Sequence, residues 1–101
     1  MRLYIDTSDA EKVEVVLKKD SQEIDTKVAK NRYGSQVLLY LITDLLKMNT
    51  LEFRDLKEIE VNTGPGSFTG LRVGVSVANA LGLALNILVN GKKQEVNLRY
   101  T

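Results

Sequence analysis

Asn62-Thr63-Gly64-Pro65-Gly66-Ser67-Phe68-Thr69-Gly70-Leu71-Arg72-Val73-Gly74 is the stretch on which the fold of this chain turns. It follows a short apolar strand, Ile59 to Val61, and opens a segment, 61–91, whose one formal charge is Arg72. Glycine permits positive φ and proline fixes its own near about −65°, so Gly64-Pro65-Gly66 predicts a turn, with Ser67 capping a helix over 68–85. That helix is a poor one by propensity: it holds three glycines and three valines, and each glycine costs about 1 kcal/mol against alanine. Something must offset the cost. Gly70, Gly74, Ala78 and Gly82 recur every four residues and line one stripe, leaving a groove where another backbone can approach closely. Val73, Val77, Leu81 and Leu85 make an apolar stripe beside it. Two readings follow: both stripes pack on the chain's own sheet, or the helix also meets a partner.

Outward from that stretch, the pattern predicts strands, a helix, a strand, a helix and a strand. Leu3 and Ile5 alternate with Arg2, Tyr4 and Asp6, while Val13, Val15 and Leu17 alternate with Lys12, Glu14 and Lys18, Val16 breaking the polar side. Lys19-Asp20-Ser21 supplies turn chemistry before the alternating run Glu23 to Val28, so 2–29 reads as an antiparallel meander with one solvated face. From Ser35, an expected N-cap, to Met48 the period turns helical, and the apolar residues from Val37 onward fill an arc of roughly 200°, about twice what a helix lying on a sheet needs. The excess is expected to meet the glycine helix of the same domain, another subunit, or both. A helical turn is expected over 53–56 and a last strand from Ile87 to Val89. Asn90-Gly91 is a type I′ hairpin signal, which predicts a return strand over 95–100.

At 101 residues the chain reads as one domain with room for a single core and for no second domain. Fourteen Lys and Arg against thirteen Asp and Glu leave a net charge of +1, which argues against holding nucleic acid by bulk electrostatics. There is no cysteine, hence no disulfide framework and no thiolate chemistry. There is no histidine either, which removes the commonest general base, the Ser-His-Asp arrangement and most zinc-site chemistry. Met1 to Asp6 meets a carboxylate almost at once, so no signal peptide and a cytoplasmic location are expected. The uncharged run 73–91 has the length of a membrane span, but Ser76, Asn79, Asn86, Asn90 and glycines interrupt it, and no membrane association is expected.

Gly64-x-Gly66-x-x-x-Gly70 lacks the dinucleotide spacing and the Walker lysine. Asp6-Thr7-Ser8, ending the first strand, is a candidate phosphate cradle, and a capped turn explains the same residues. One carboxylate without a convergent partner is a poor metal site, so no metal, no cofactor and no catalytic residue are assigned. Arg72 sits near a helix N-terminus, where the macrodipole disfavours a cation. It reads either as an exposed guanidinium with a buried stem or as the partner of a carboxylate across an interface.

Gly64-Pro65-Gly66-Ser67-Phe68-Thr69-Gly70-Leu71-Arg72-Val73-Gly74, followed by Val77-Ala78-Asn79-Ala80-Leu81-Gly82, resembles the signature of the TsaB (YeaZ) family, bacterial proteins required to form threonylcarbamoyladenosine on tRNA. Ile5-Asp6-Thr7-Ser8 resembles the family's first-strand motif, and Ser35-Gln36 through Leu45-Leu46 its first helix. The resemblance covers residues 1–90. It implies an α/β fold: a single actin-like, Hsp70-like ATPase (ribonuclease H-like) lobe, a mixed five-stranded sheet with two helices, in a family regarded as inactive paralogues of the catalytic subunit TsaD. It also implies that both helices pair with a second copy or with TsaD, and that a TsaE-like ATPase is a further partner while tRNA is met only indirectly. By that resemblance the interface residues are Leu38, Leu41, Ile42, Leu45, Phe68, Gly70, Leu71, Arg72, Gly74, Ala78 and Gly82.

Two departures matter. Relatives commonly show a histidine just before the Ser-Gln pair, where this chain has Tyr33-Gly34, and the chain stops where a second lobe is expected to begin. The reading is therefore an N-terminal lobe over 1–91 with a tail or extra edge strand over 92–101. It is expected to be a non-catalytic scaffold that forms a homodimer or a heterodimer with a TsaD-like subunit. A nucleotide-binding half-domain of an actin-like ATPase, active only when paired, is the alternative. The metallopeptidase activity once ascribed to the wider family is set aside for want of histidine.

Overall fold

The computed structural model describes residues 1–30, 34–93 and 95–97. The alternating N-terminal runs form β1 (Arg2–Asp6), β2 (Lys12–Lys19) and β3 (Gln22–Lys30), followed by α1 (Ser35–Met48), a 3-10 turn (Phe53–Asp55), β4 (Glu58–Val61), α2 (Phe68–Leu85) and β5 (Leu88–Val89). The five strands make one sheet in the order β3-β2-β1-β4-β5. β1, β2 and β3 are antiparallel, whereas β1, β4 and β5 are parallel, which makes the sheet mixed.

Registers set the two faces. Leu3 pairs with Leu17 and Ile59, and Ile5 with Val15 and Val61, so these side chains point to one side. There they join Leu38, Ile42, Leu45, Val77 and Ala78 of the helices in one core cluster. The residues between them form the opposite face. On it, Arg2 Nη2 lies 3.0 Å from Glu58 Oε1, and the Lys18 ammonium stands 5.1 Å from the centre of the Tyr4 ring. Val16, which broke the polar alternation, falls on this face yet is buried, seated between its cross-strand neighbours Tyr4 and Thr26.

β3 turns its large apolar residues, Ile24 and Val28, away from the helices. A bulge in the β2–β3 pairing lies beside Ile24, and Asp25, Lys27 and Ala29 stand opposite core-facing Leu17, Val15 and Val13, leaving Ile24 and Val28 exposed. Asp25 is useful on the helix side because Asn49, past the end of α1, donates to its Oδ2 at 2.9 Å.

The wide apolar arc of α1 is consumed inside the chain. Leu38, Leu41, Ile42, Leu45 and Leu46 are all buried, packed between β2, β3 and α2. The expected assignment of Leu38, Leu41, Ile42 and Leu45 to an intermolecular interface is thereby corrected: α1 meets α2 as well as the sheet, and two neighbours account for an arc twice the usual width. Gly34, not Ser35, holds the N-cap position of α1. Ser67 caps α2 as expected, its side chain accepting from Gly70 N. α2 is long and apolar enough to cross a membrane by length and composition, and it lies along the sheet with Leu71, Val77 and Ala78 buried.

After β5, Asn90 and Gly91 take φ of 51° and 76°, and Val89 bridges Lys92 antiparallel, the tight turn that the Asn-Gly pair predicts. The expected return strand does not form over the described residues 95–97; the rest of that span, 98–100, lies outside the described residues, as does Tyr33. Residues 95–97 run instead beside α2, with Val96 buried.

Since Ile42 is fully buried among core side chains, Ile42→Ala is expected to lower the unfolding free energy by about 2–5 kcal/mol in urea titration. A change under half a kcal/mol, as rough surface substitutions give, would contradict the core position.

Candidate functional site

The C-terminal ends of β1 and β4 lie side by side, and the chain leaves them in opposite directions, to β2 and to α2. In open α/β sheets such a divergence is where ligands bind. Here the two loops grip each other. Asn62 N donates to Ile5 O at 3.0 Å, and Ser67 N donates to Ser8 O at 2.7 Å. The Thr7 side chain is fully buried and donates to Gly70 O at 2.6 Å.

Asp6 is wired from several sides. Its Oδ1 accepts from Ser8 Oγ at 2.6 Å, Ser8 N at 2.9 Å and Asn62 Nδ2 at 3.2 Å. Burial pushes the Asp6 carboxyl up, but these hydrogen bonds, with a weaker one from Tyr4, outweigh it and hold it below the ordinary carboxylate range. Burial and then the Asp6 charge push the Tyr4 phenol up in turn. The candidate phosphate cradle Asp6-Thr7-Ser8 is thus engaged in joining two loops. Among the described residues no three acidic side chains converge as metal ligands would.

The glycine stripe has the same explanation. A Cβ on Gly66 would stand 2.6 Å from Ser8 Cβ; one on Gly70 would strike the Thr7 carbonyl, and one on Gly74 the Thr7 hydroxyl. At Gly82 it would strike Val89. Gly70, Gly74, Ala78 and Gly82 are the seam where α2 meets the ends of β1 and β5, and with buried Leu71 they are corrected from interface to interior. The close approach that the spacing predicts is real, and its occupant is the chain itself.

What remains outward is a different set. Leu39 and Tyr40 on α1 and Phe68, Ala80, Leu83 and Ala84 on α2 are exposed, Leu83 by 86%. Leu39, Ala80, Leu81 and Ala84 line an apolar groove between the two helices. Of the interface residues expected from the sequence, Phe68 and Arg72 are the exposed ones, and the Arg72 guanidinium stands 5.7 Å from the Phe68 ring centre. That stacking accounts for a cation near a helix N-terminus, at roughly 0.5–1 kcal/mol for an exposed pair. Leu39, Tyr40, Ala80, Leu83 and Ala84 were missed. The signal for the α2 residues was present in the helix period, on the side away from the glycines.

Residues 26–91 match the family model of TsaD, tRNA N6-adenosine threonylcarbamoyltransferase. The tRNA threonylcarbamoyladenosine biosynthesis protein TsaB of Escherichia coli is 32% identical over 60 residues, which covers 59% of this chain and 26% of that protein. The TsaB of Buchnera aphidicola subsp. Baizongia pistaciae is 38% identical over 50 residues, covering 50% and 23%. YeaZ from Pseudomonas aeruginosa superposes with a TM-score of 0.77 at 30% identity, over 87% of this chain and 41% of that one. The chain therefore spans about a quarter of the curated relatives it matches.

Two expectations follow. Gly74→Leu should destabilise the monomer by about 1–3 kcal/mol or more in urea, because it overpacks the Thr7 socket; a stabilised variant would put Gly74 at a free surface. The Asp6 carboxyl sits below its ordinary 3.8 in the folded chain. Its stabilisation is therefore fully present above the unfolded value and is lost as pH falls through the folded one. Unfolding midpoints measured from pH 6 downward should fall less steeply in Asp6→Asn than in the parent; identical slopes would contradict the wiring.

Proposed function

This chain belongs to the TsaD family, among its TsaB (YeaZ) relatives, and we propose that it works as a non-catalytic docking lobe for a TsaD-type catalytic subunit in the threonylcarbamoyladenosine modification of tRNA. Its sheet and helices are the actin-like, ribonuclease H-like lobe of that family. The observation that carries the reading is the exposed apolar ground on the two helices: Leu39 with Ala80 and Ala84 in the α1–α2 groove, and Tyr40 on α1 and Phe68 and Leu83 on α2 exposed besides. An exposed apolar groove on the surface of a small protein marks a contact surface more often than apolar residues exposed singly do.

The same face suits two arrangements, a pair of copies of this chain or a heterodimer with the TsaD-type subunit, and a TsaE-like ATPase would join the second. A net charge of +1 supports indirect contact with tRNA, and the work belongs in the cytoplasm where tRNA is modified. Lack of histidine and cysteine, together with an Asp6 whose Oδ1 is already taken up by Ser8 and Asn62, supports a subunit without chemistry of its own. The rival, a nucleotide-binding half-domain active when paired, draws on Asp6 lying at the diverging ends of parallel strands.

Titration of a TsaD-type subunit from the same host with the parent chain and with Leu83→Asp tests the proposal. The variant is expected to bind at least about tenfold more weakly, a loss of about 1.4 kcal/mol, with an unchanged urea midpoint. Equal binding by the two, or none by the parent at high micromolar concentration, would overturn it. ATP turnover on pairing that Asp6→Ala abolishes would install the rival.

A further inference from the structure

Residues 95–97 do not join the sheet. They lie along α2, where Asn79 holds the backbone of Val96 by both of its groups: Nδ2 donates to Val96 O at 2.9 Å, and Val96 N donates to Oδ1 at 3.1 Å. A side-chain amide carries one donor and one acceptor side by side, so it binds an extended backbone much as a neighbouring strand would. Val96 is buried and belongs to the same apolar cluster as Val75 of α2. Asparagine in a helix interior is a weak helix former, and here its side chain is spent on a segment remote in sequence.

The position of this contact is what matters. Arg72, Val75, Asn79 and Leu83 follow each other at spacings of three, four and four, so they form one continuous stripe along α2. That stripe borders the Ser76 and Ala80 ridge, which lines the α1–α2 groove on its other side. A partner helix seated lengthwise on the exposed side of α2 needs the ridge and the grooves flanking it. The middle of the outer groove is walled by Glu95, Val96 and Asn97.

We propose that residues 95–97 are a strap that occupies the outer stripe of α2 in cis and must move aside for a partner helix to seat fully; the inference rests on the docking function proposed above. The strap is built to be movable. Among the described residues, two part-buried hydrogen bonds and one modest apolar side chain hold it, set against the entropy of ordering its residues, so bound and released forms lie close in free energy. No ladder of the five-stranded sheet runs through it, and its release leaves the β3-β2-β1-β4-β5 order intact. The partner it screens is an apolar helix face, since release adds Val75 to the surface already offered by Ala80 and Leu83. Affinity for that partner is reduced by the fraction of molecules with the strap open.

The test compares the full chain with Asn79→Ala, which removes the clamp, and with Val96→Asp, which ejects the segment while leaving α2 untouched. Amide exchange at residue 96 reports release, and titration with the TsaD-type subunit reports affinity. Both variants are expected to exchange faster at that amide and to bind about three- to tenfold more tightly than the parent. Faster exchange with unchanged or weaker binding would overturn the strap, and would show the segment to be a passive or contributing wall. Unaltered exchange in both variants would overturn it too, because the clamp would not be what holds the segment. If the parent and both variants all fail to bind, the docking function falls and the strap's role with it, a result distinct from binding that is present but insensitive to release.

Discussion

The Thr7 hydroxyl, donating to the Gly70 carbonyl at 2.6 Å under the first turns of α2, is the constraint from which the rest of the structure follows. A buried hydroxyl left unpaired costs about 1–3 kcal/mol, so the helix has to come close enough to accept it. Close approach leaves no room for a Cβ at Gly70 or Gly74. Once α2 is held there, Ser67 N reaches Ser8 O and Ser67 caps the helix, tying the β1–β2 turn to the loop before α2. A helix with three glycines, each costing about 1 kcal/mol against alanine, thus persists because those positions are the contact itself.

Much of this was legible in the sequence because period and turn chemistry are local. The alternation at Leu3 and Ile5, the helical run from Ser35, the Ser67 cap and the Asn90-Gly91 turn each need only a few neighbours to be read, and each is where it was expected. Membership of the family was legible too, since the motif from Gly64 to Gly74 is long and specific. β3 was harder. Its strand was visible, but a bulge and the pull of Asn49 on Asp25 decide which side its apolar residues take, and neither is encoded within the strand.

The site was misread for a physical reason. Apolar width and small-residue spacing say how much surface a helix must bury, not whose surface covers it. Leu38 and Ile42 looked like surplus because a helix on a sheet was the reference, whereas α1 is wedged between sheet and α2. The glycine stripe looked like a groove awaiting a backbone, and the backbone was that of Thr7, more than sixty residues away in sequence. Such a pairing has no local trace. The residual surface, Leu39, Tyr40, Ala80 and Leu83, becomes visible after subtraction of what the chain itself covers.

That subtraction ties the candidate function to the fold. On an α-helix the side opposite a stripe of period four is itself fixed, so sinking Gly70, Gly74 and Gly82 into the sheet obliges Arg72, Ser76, Ala80 and Leu83 to face outward. The small residues that let α2 press against Thr7 therefore also aim its other side, and their position determines which residues any partner can meet. Asn79 lies at the border between the two sides, too far round to pack in the core and too near it to stand wholly free. A polar side chain with a donor and an acceptor suits that border, because it can hold backbone on the flank without adding apolar bulk to the seam. Core, outward face and strap are in this way consecutive sectors of one helix, and the hydrogen bond at Thr7 sets the rotation of all of them.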